Sequence, residues 1–178
     1  YFVKRGDDYI DVSGSSFRAF FDGRNNNLPG ERPTLSDWAN HLSTIFPEVR
    51  LKRYLEMRGA DGGPWGRICA LPALWTGILY DADALAAAWE LCKGWTREDR
   101  EKLRADAART GLKGAIAGRP VQEVARELVD IAKHGLRRRA RFSGRLVDET
   151  GYLSELEEIA ESGITPAERL LDLYHGPW

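Results

Sequence analysis

Between Glu48 and Arg58 charged side chains recur at every second position except 54, which is Tyr. Read at period two, Arg50, Lys52, Tyr54, Glu56 and Arg58 share one strand face, and Val49, Leu51, Arg53, Leu55 and Met57 share the other. Four charges and a tyrosine are costly to bury without partners. Two readings stand. One is the solvated face of an antiparallel sheet. The other is an anion and metal site. There, Glu56 would be a Mg²⁺ ligand, since Mg²⁺ takes one or two carboxylates beside waters and substrate phosphates. Arg58 would then recognise phosphate. The run Gly59 to Gly63 that follows lets a ligand approach the backbone closely. It lacks the Gly-Lys-Ser/Thr ending of a phosphate-binding loop and is no dinucleotide fingerprint. Tyr1, Arg5 and Tyr9 read either as facing the same pocket or as ordinary hairpin side chains.

Other reactive residue types are weaker candidates. His41, His134 and His175 match no metal spacing, and His41 reads as structural. Cys69 and Cys92 fall on apolar helix faces without a charged activator, which predicts buried, inert thiols. The basic run Arg137 to Arg141 ends a helix, where the macrodipole favours cations. No aromatic stacking platform accompanies it. No Gly-x-Ser-x-Gly elbow is present.

The elements that must hold these residues fall into two textures with a break near Asp83. Tyr1 to Arg5 and Tyr9 to Val12 flank Gly6-Asp7-Asp8 and predict a β-hairpin. Ser15 is placed to cap a short helix carrying Phe17, Phe20 and Phe21. Thr34 and Asp37 predict a capping box for a helix carrying Leu35, Trp38, Leu42 and Ile45, ended by Pro47. Glu48 to Arg58 reads as one strand. Pro64 suits the first position of a nearly all-apolar, buried helix, with Pro72 expected to kink it. Beyond Asp83 the pattern is helix after helix. One is capped by Thr96 and Asp99, one follows Pro120, and one opens on Thr165, Pro166 and Glu168. The fold class predicted is α+β, a small antiparallel sheet with a mainly helical C-terminal half.

The 178 residues carry 26 Lys and Arg against 27 Asp and Glu, a net charge of −1. That balance gives no general pull toward nucleic acid or an anionic membrane, and no apolar run approaches a membrane span. Two cysteines make no disulfide scaffold, and no signal-peptide pattern is visible, so a reducing, cytoplasmic location is expected. The chain opens on Tyr1, so a processed chain or a piece of a longer one is expected.

The run from Phe46 to Trp65, with Arg67 to Trp75 after it, closely resembles glutamate–cysteine ligase of the plant and proteobacterial type. The hairpin Tyr1 to Arg5, the segment Leu28 to Thr34, Asp37-Trp38 with Asn40 to Leu42, and Thr165 to Leu171 look like the same family. The resemblance spans essentially the whole chain as the C-terminal portion of one catalytic domain, with residues 1–82 the active-site part and 83–178 the helical part. It implies a sheet shared with glutamine synthetase. It also implies an enzyme that uses MgATP to phosphorylate the γ-carboxylate of L-glutamate and joins it to L-cysteine, the first step of glutathione synthesis.

Residue roles follow from the same resemblance. Glu56 would bind Mg²⁺. Arg58 would act on the transferring phosphoryl group and the ATP phosphates, with Lys52 as a second catalytic cation. Arg53 and Tyr54 would contact ATP. Arg50 would meet a substrate carboxylate, and Tyr1 matches a tyrosine of the cysteine-binding region. The redox cysteine pair of plant members is replaced by Val12 and Asn27. Cys69 matches a cysteine whose partner lies outside this sequence, and Gly66 stands where relatives commonly carry Arg. Family members are more than twice as long, so the N-terminal part of the same enzyme is an implied partner and the chain alone is expected to be inactive. The alternative reading is a non-catalytic helical interaction module that keeps the family's fold.

Overall fold

The computed structural model describes residues 1–142 and 147–176, with side chains at 141 and 142 left aside. The chain divides into two compact units, Tyr1–Ala60 and the residues from Asp61 onward. Among the described residues the strands form three separate two-stranded antiparallel sheets, and helices dominate the second unit, an α+β fold.

In the first unit β1 (Phe2–Arg5) pairs with β2 (Asp8–Asp11), Phe2 opposite Asp11 and Arg5 opposite Asp8. The reversal uses Gly6 at φ +61°, a conformation that suits a residue without Cβ. Val3 and Val12 project into a small core with Phe20 and Leu28. Phe20 comes from α1 (Phe17–Phe21), which is capped by Ser16, one residue later than expected, its Oγ accepting from the Arg18 N–H.

Helix α2 (Leu35–Ser43) opens on the predicted capping box. Thr34 Oγ1 accepts from the Asp37 N–H at 3.2 Å, and Asp37 accepts from the Thr34 N–H at 2.8 Å. Asp37 is only 4% exposed and also accepts from the Arg5 guanidinium at 2.8 Å, which ties β1 to α2. The predicted apolar stripe of α2 stays largely open, with Leu35 88% exposed.

The charged segment is not one strand. β3 (Val49–Leu51) turns back into β4 (Leu55–Met57), with Val49 opposite Met57, Arg50 opposite Glu56 and Leu51 opposite Leu55. A lone strand would leave its ladder groups unpaired, and doubling back supplies a partner from the same segment. The hairpin closes through the Lys52 N–H donating to the Tyr54 carbonyl at 2.8 Å and the Arg58 N–H donating to the Glu48 carbonyl at 2.7 Å. Lys52, Arg53 and Tyr54 therefore form the reversal, and strict alternation across them no longer holds.

In the second unit α3 (Trp65–Leu79) starts after Pro64, which is its N-cap rather than its first residue. The helix runs on through Pro72. Its burial is one-sided: Ala70, Ala73, Gly77 and Ile78 are buried, whereas Trp65 and Ile68 are exposed. Helix α4 (Ala82–Cys92) is capped by Asp81, and α5 (Arg97–Thr110) by the expected Thr96–Asp99 box. A two-residue turn at Ala117 and Gly118, both with positive φ, joins β5 (Ala115–Ile116) to β6 (Arg119–Pro120). Sequence patterning had not marked that ribbon.

Helix α6 (Val121–Phe142) runs through the core of this unit. Its Ala132 and Leu136 pack with Ala73 and Ile78 of α3 and with Leu153. Leu153 precedes α7 (Ser154–Ser162). Helix α8 (Pro166–His175) carries the full predicted start, with Thr165 as cap, Pro166 first and Glu168 closing the box. Where α3 crosses α6 the backbones touch. A Cβ on Gly77 would lie 2.2 Å from the Ala132 carbonyl oxygen, and one on Gly135 would lie 1.9 Å from that of Gly77. Among the described residues no single helix is long and apolar enough to cross a membrane.

Candidate functional site

The β3–β4 register sets Arg50 directly across from Glu56, and directly opposed residues project to the same face. Arg50 Nε donates to Glu56 Oε2 at 2.7 Å, with both side chains about one-third exposed. The Arg50 hydrogen bond holds the Glu56 carboxyl below its usual range. Desolvation opposes the shift, and the charges of Arg50, Lys52 and Arg58 add to it. Three cations thus surround one carboxylate, an excess of positive charge suited to an anion.

Arg58 follows β4 directly. Its guanidinium lies over the Phe46 ring, 5.4 Å from the centroid. Its Nη1 is buried and, among the described residues, meets no hydrogen-bond acceptor. A buried guanidinium donor without an acceptor is costly, and a phosphate or carboxylate oxygen would satisfy it. Arg53 and Tyr54 project from the exposed reversal, Tyr54 at 61% exposure. They reach the same end of the hairpin as Lys52, and among the described residues no side-chain hydrogen bond or ion pair holds them there.

The donor set falls short of a Mg²⁺ site. Glu56 is a single carboxylate already bonded to Arg50, and no group of three or more His, Cys, Asp or Glu side chains able to hold a metal occurs among the described residues. Glu56 would have to release Arg50 and be joined by oxygens from outside these residues.

Tyr1 sits in an aromatic nest. Its ring lies 5.5 Å from Phe17 and edge-on to His41 at 4.9 Å, and His41 stacks on Phe17 at 4.4 Å. Its hydroxyl accepts from Asn25 Nδ2 at 3.3 Å. Burial pushes the His41 pKa down, which favours the neutral imidazole in this packed ring cluster. Arg5 does not join a pocket with Tyr9. It bonds Asp37 and Glu31. Cys69 and Cys92 are free and half-buried.

Two members of the basic run on α6 are tied into the fold, whereas Arg137 is exposed. Arg138 bridges Asp81 at 2.9 Å and Asp83 at 2.8 Å at the start of α4, and Arg139 lies over the Tyr80 ring. Arg141 falls outside the described side chains. Sequence patterning missed Asn25, which sits in an Asn-rich loop like any turn residue yet is 2% exposed. It also missed Phe46 as the floor beneath Arg58.

A hairpin that gathers cations around one carboxylate, beside an Arg with an open donor, has the chemistry to take an anion. The chain belongs to glutamate-cysteine ligase family 2, whose model matches residues 1–177. Over its whole length the chain is 53% identical to the chloroplastic glutamate–cysteine ligase of Nicotiana tabacum, covering 33% of that protein. It is 52% identical to glutamate–cysteine ligase A, chloroplastic, of Oryza sativa subsp. indica, covering 35%, and 51% identical to the chloroplastic enzyme of Arabidopsis thaliana, covering 33%. The chain thus spans about a third of the length of the curated relatives it matches. The cytoplasmic location expected from the sequence is overturned by these relatives, which are named chloroplastic.

Proposed function

We propose that this chain is the C-terminal portion of an ATP-dependent ligase that joins the γ-carboxylate of glutamate to the amine of cysteine, with hairpin β3–β4 as its phosphate- and carboxylate-binding face. The observation that carries the reading is the open, buried Nη1 donor of Arg58 beside the Arg50–Glu56–Lys52 cluster. Family membership supplies the reaction class.

The γ-phosphoryl group of ATP passes to a γ-carboxylate oxygen, giving γ-glutamyl phosphate and ADP. The cysteine amine then attacks the acyl carbon. The C–N bond forms, inorganic phosphate leaves, and the nitrogen gives up a proton. In both steps negative charge gathers on phosphoryl oxygens. Arg58 donates to one of them from a fixed position over Phe46, and Lys52 adds a second positive charge from the reversal. Glu56 holds Arg50 so that its remaining guanidinium donors can take a substrate carboxylate. Tyr54 and Arg53 flank the nucleotide from the exposed turn, and Tyr1 contacts cysteine. No step is assigned to Mg²⁺ on these residues. The ligase serves the first step of glutathione formation, and the chain alone does not turn over.

The test is ADP release by the full-length parent, with glutamate and cysteine omitted in turn, beside Arg58→Ala. Release that needs both amino acids, with kcat lowered about a hundredfold or more in the variant, is expected. Full activity in Arg58→Ala removes the hairpin from the chemistry. No substrate-dependent release in the parent leaves a non-catalytic helical module.

A further inference from the structure

Asn25 lies in the loop after α1 and is almost wholly buried, at 2% exposure. Both ends of its amide are engaged. Its Oδ1 accepts from the Asn27 N–H at 2.9 Å, and its Nδ2 donates to the Tyr1 hydroxyl oxygen at 3.3 Å. The first bond fixes the second. A backbone N–H can only donate, so the amide oxygen must face Asn27 and the amide nitrogen must face Tyr1. An NH₂ group has no acceptor to offer, so the Tyr1 oxygen is the acceptor of this pair and its own hydrogen points elsewhere. Among the described residues no acceptor is bonded to that hydrogen.

The ring is held as well. Phe17 and His41 pack against it, and the Tyr1 carbonyl accepts from the Val12 N–H at 3.3 Å. Burial raises the Tyr1 pKa above its ordinary value, against the opposing Asn25 bond, so the phenol keeps its proton at neutral pH.

We infer that Asn25 is a positioning residue that makes Tyr1 a one-way hydrogen-bond donor toward an acceptor of the cysteine substrate. The inference rests on the proposed ligase reading, in which Tyr1 contacts cysteine, and adds the direction of that contact and the residue that sets it.

The test uses the full-length enzyme and measures KM for cysteine and for glutamate, with kcat, in Tyr1→Phe, Asn25→Asp, Asn25→Ala and the double variant Tyr1→Phe/Asn25→Asp. Tyr1→Phe raises the KM for cysteine about tenfold or more, leaving that for glutamate unchanged. Asn25→Asp does the same, because a carboxylate in that place takes the phenol hydrogen for itself. Asn25→Ala removes the same amide without reversing the bond and raises KM by no more than about threefold. Tyr1→Phe/Asn25→Asp is no worse than Tyr1→Phe alone, because the second change acts only through the missing hydroxyl.

A wild-type KM in Asn25→Asp, additive effects in the double variant, or an equal rise in Asn25→Ala and Asn25→Asp overturns the inference and leaves the ligase reading intact. If Asn25→Asp does not fold, Asn25→Ala decides: a rise as large as that of Tyr1→Phe marks a structural role and overturns the inference. If Tyr1→Phe changes neither KM, the contact between Tyr1 and cysteine fails and the inference fails with it. ADP release that needs both amino acids still stands as a separate result.

Discussion

Glu56 and Asp37 are both carboxylates paired with an arginine, and they differ in what the pair does. The Arg50–Glu56 bond is partly open to solvent, so it adds little to stability. Glu56→Gln is expected to leave the urea-unfolding midpoint nearly unchanged. The same change frees Arg50 from its anchor and is expected to raise the KM for the substrate carboxylate it meets about tenfold. A wild-type KM in Glu56→Gln would take Arg50 out of substrate binding. Asp37 is buried, and burial alone would raise its pKa. Hydrogen bonds from Arg5 and Thr34 outweigh that and hold it low. Asp37→Ala loses the N3 half of the capping box and the buried bond to Arg5, which keeps only Glu31 as an acidic partner, so a loss of about 2 kcal/mol is expected. The cap was legible because Thr34 and Asp37 stand three apart before an apolar run. Its pairing with Arg5 was not, because nothing local joins residues so distant in the chain.

Hairpin β3–β4 shows why an element can be misread when its residues are read correctly. Alternation continues through both arms of a tight hairpin, so one long strand and two short ones give nearly the same pattern. The usual marks of a reversal, Gly, Asn, Asp or Pro, are absent from Lys52-Arg53-Tyr54. The faces survived the error: Arg50 and Glu56 were assigned together and are in contact. The start of α8 was fully legible, and its chemistry carries a pH signature. The Lys113 ion pair and the hydrogen bonds from Thr165 lower the Glu168 pKa to about 2, from an ordinary 4.5. A carboxyl depressed on folding stabilises the fold fully above its unfolded pKa and loses that effect as pH falls toward the folded value. The tie between α8 and Lys113 is therefore intact above about pH 5 and fades between there and about pH 2. Side-chain NMR titration should place the Glu168 midpoint near that lower value, and Lys113→Ala should move it upward. An unchanged midpoint in the variant would show that Lys113 is not its main cause.

At the scale of the whole second unit, the crossing of α3 and α6 depends on two glycines that sequence patterning passed over. Gly77 lay in an apolar run and Gly135 in an amphipathic one, and neither position needs an unusual φ, so only the opposing backbone reveals their purpose. Gly→Ala in a helix gains about 1 kcal/mol of propensity. Here that gain is overridden, since the added methyl meets a carbonyl oxygen at 2.2 Å or less. Each of Gly77→Ala and Gly135→Ala is expected to destabilise by about 3 kcal/mol net, read by thermal unfolding. A neutral result at either would mean that the helices separate freely. Between these glycines the chain passes through α5, which has no buried residue. The interlock of α3 with α6 is thus independent of the covalent continuity of α5. A protease nick in α5 would leave two polypeptides clasped backbone to backbone, travelling as one particle in native gel filtration and parting only in denaturant. The unit is in effect already divided into two complementary pieces, with the clasp in place of the peptide bond.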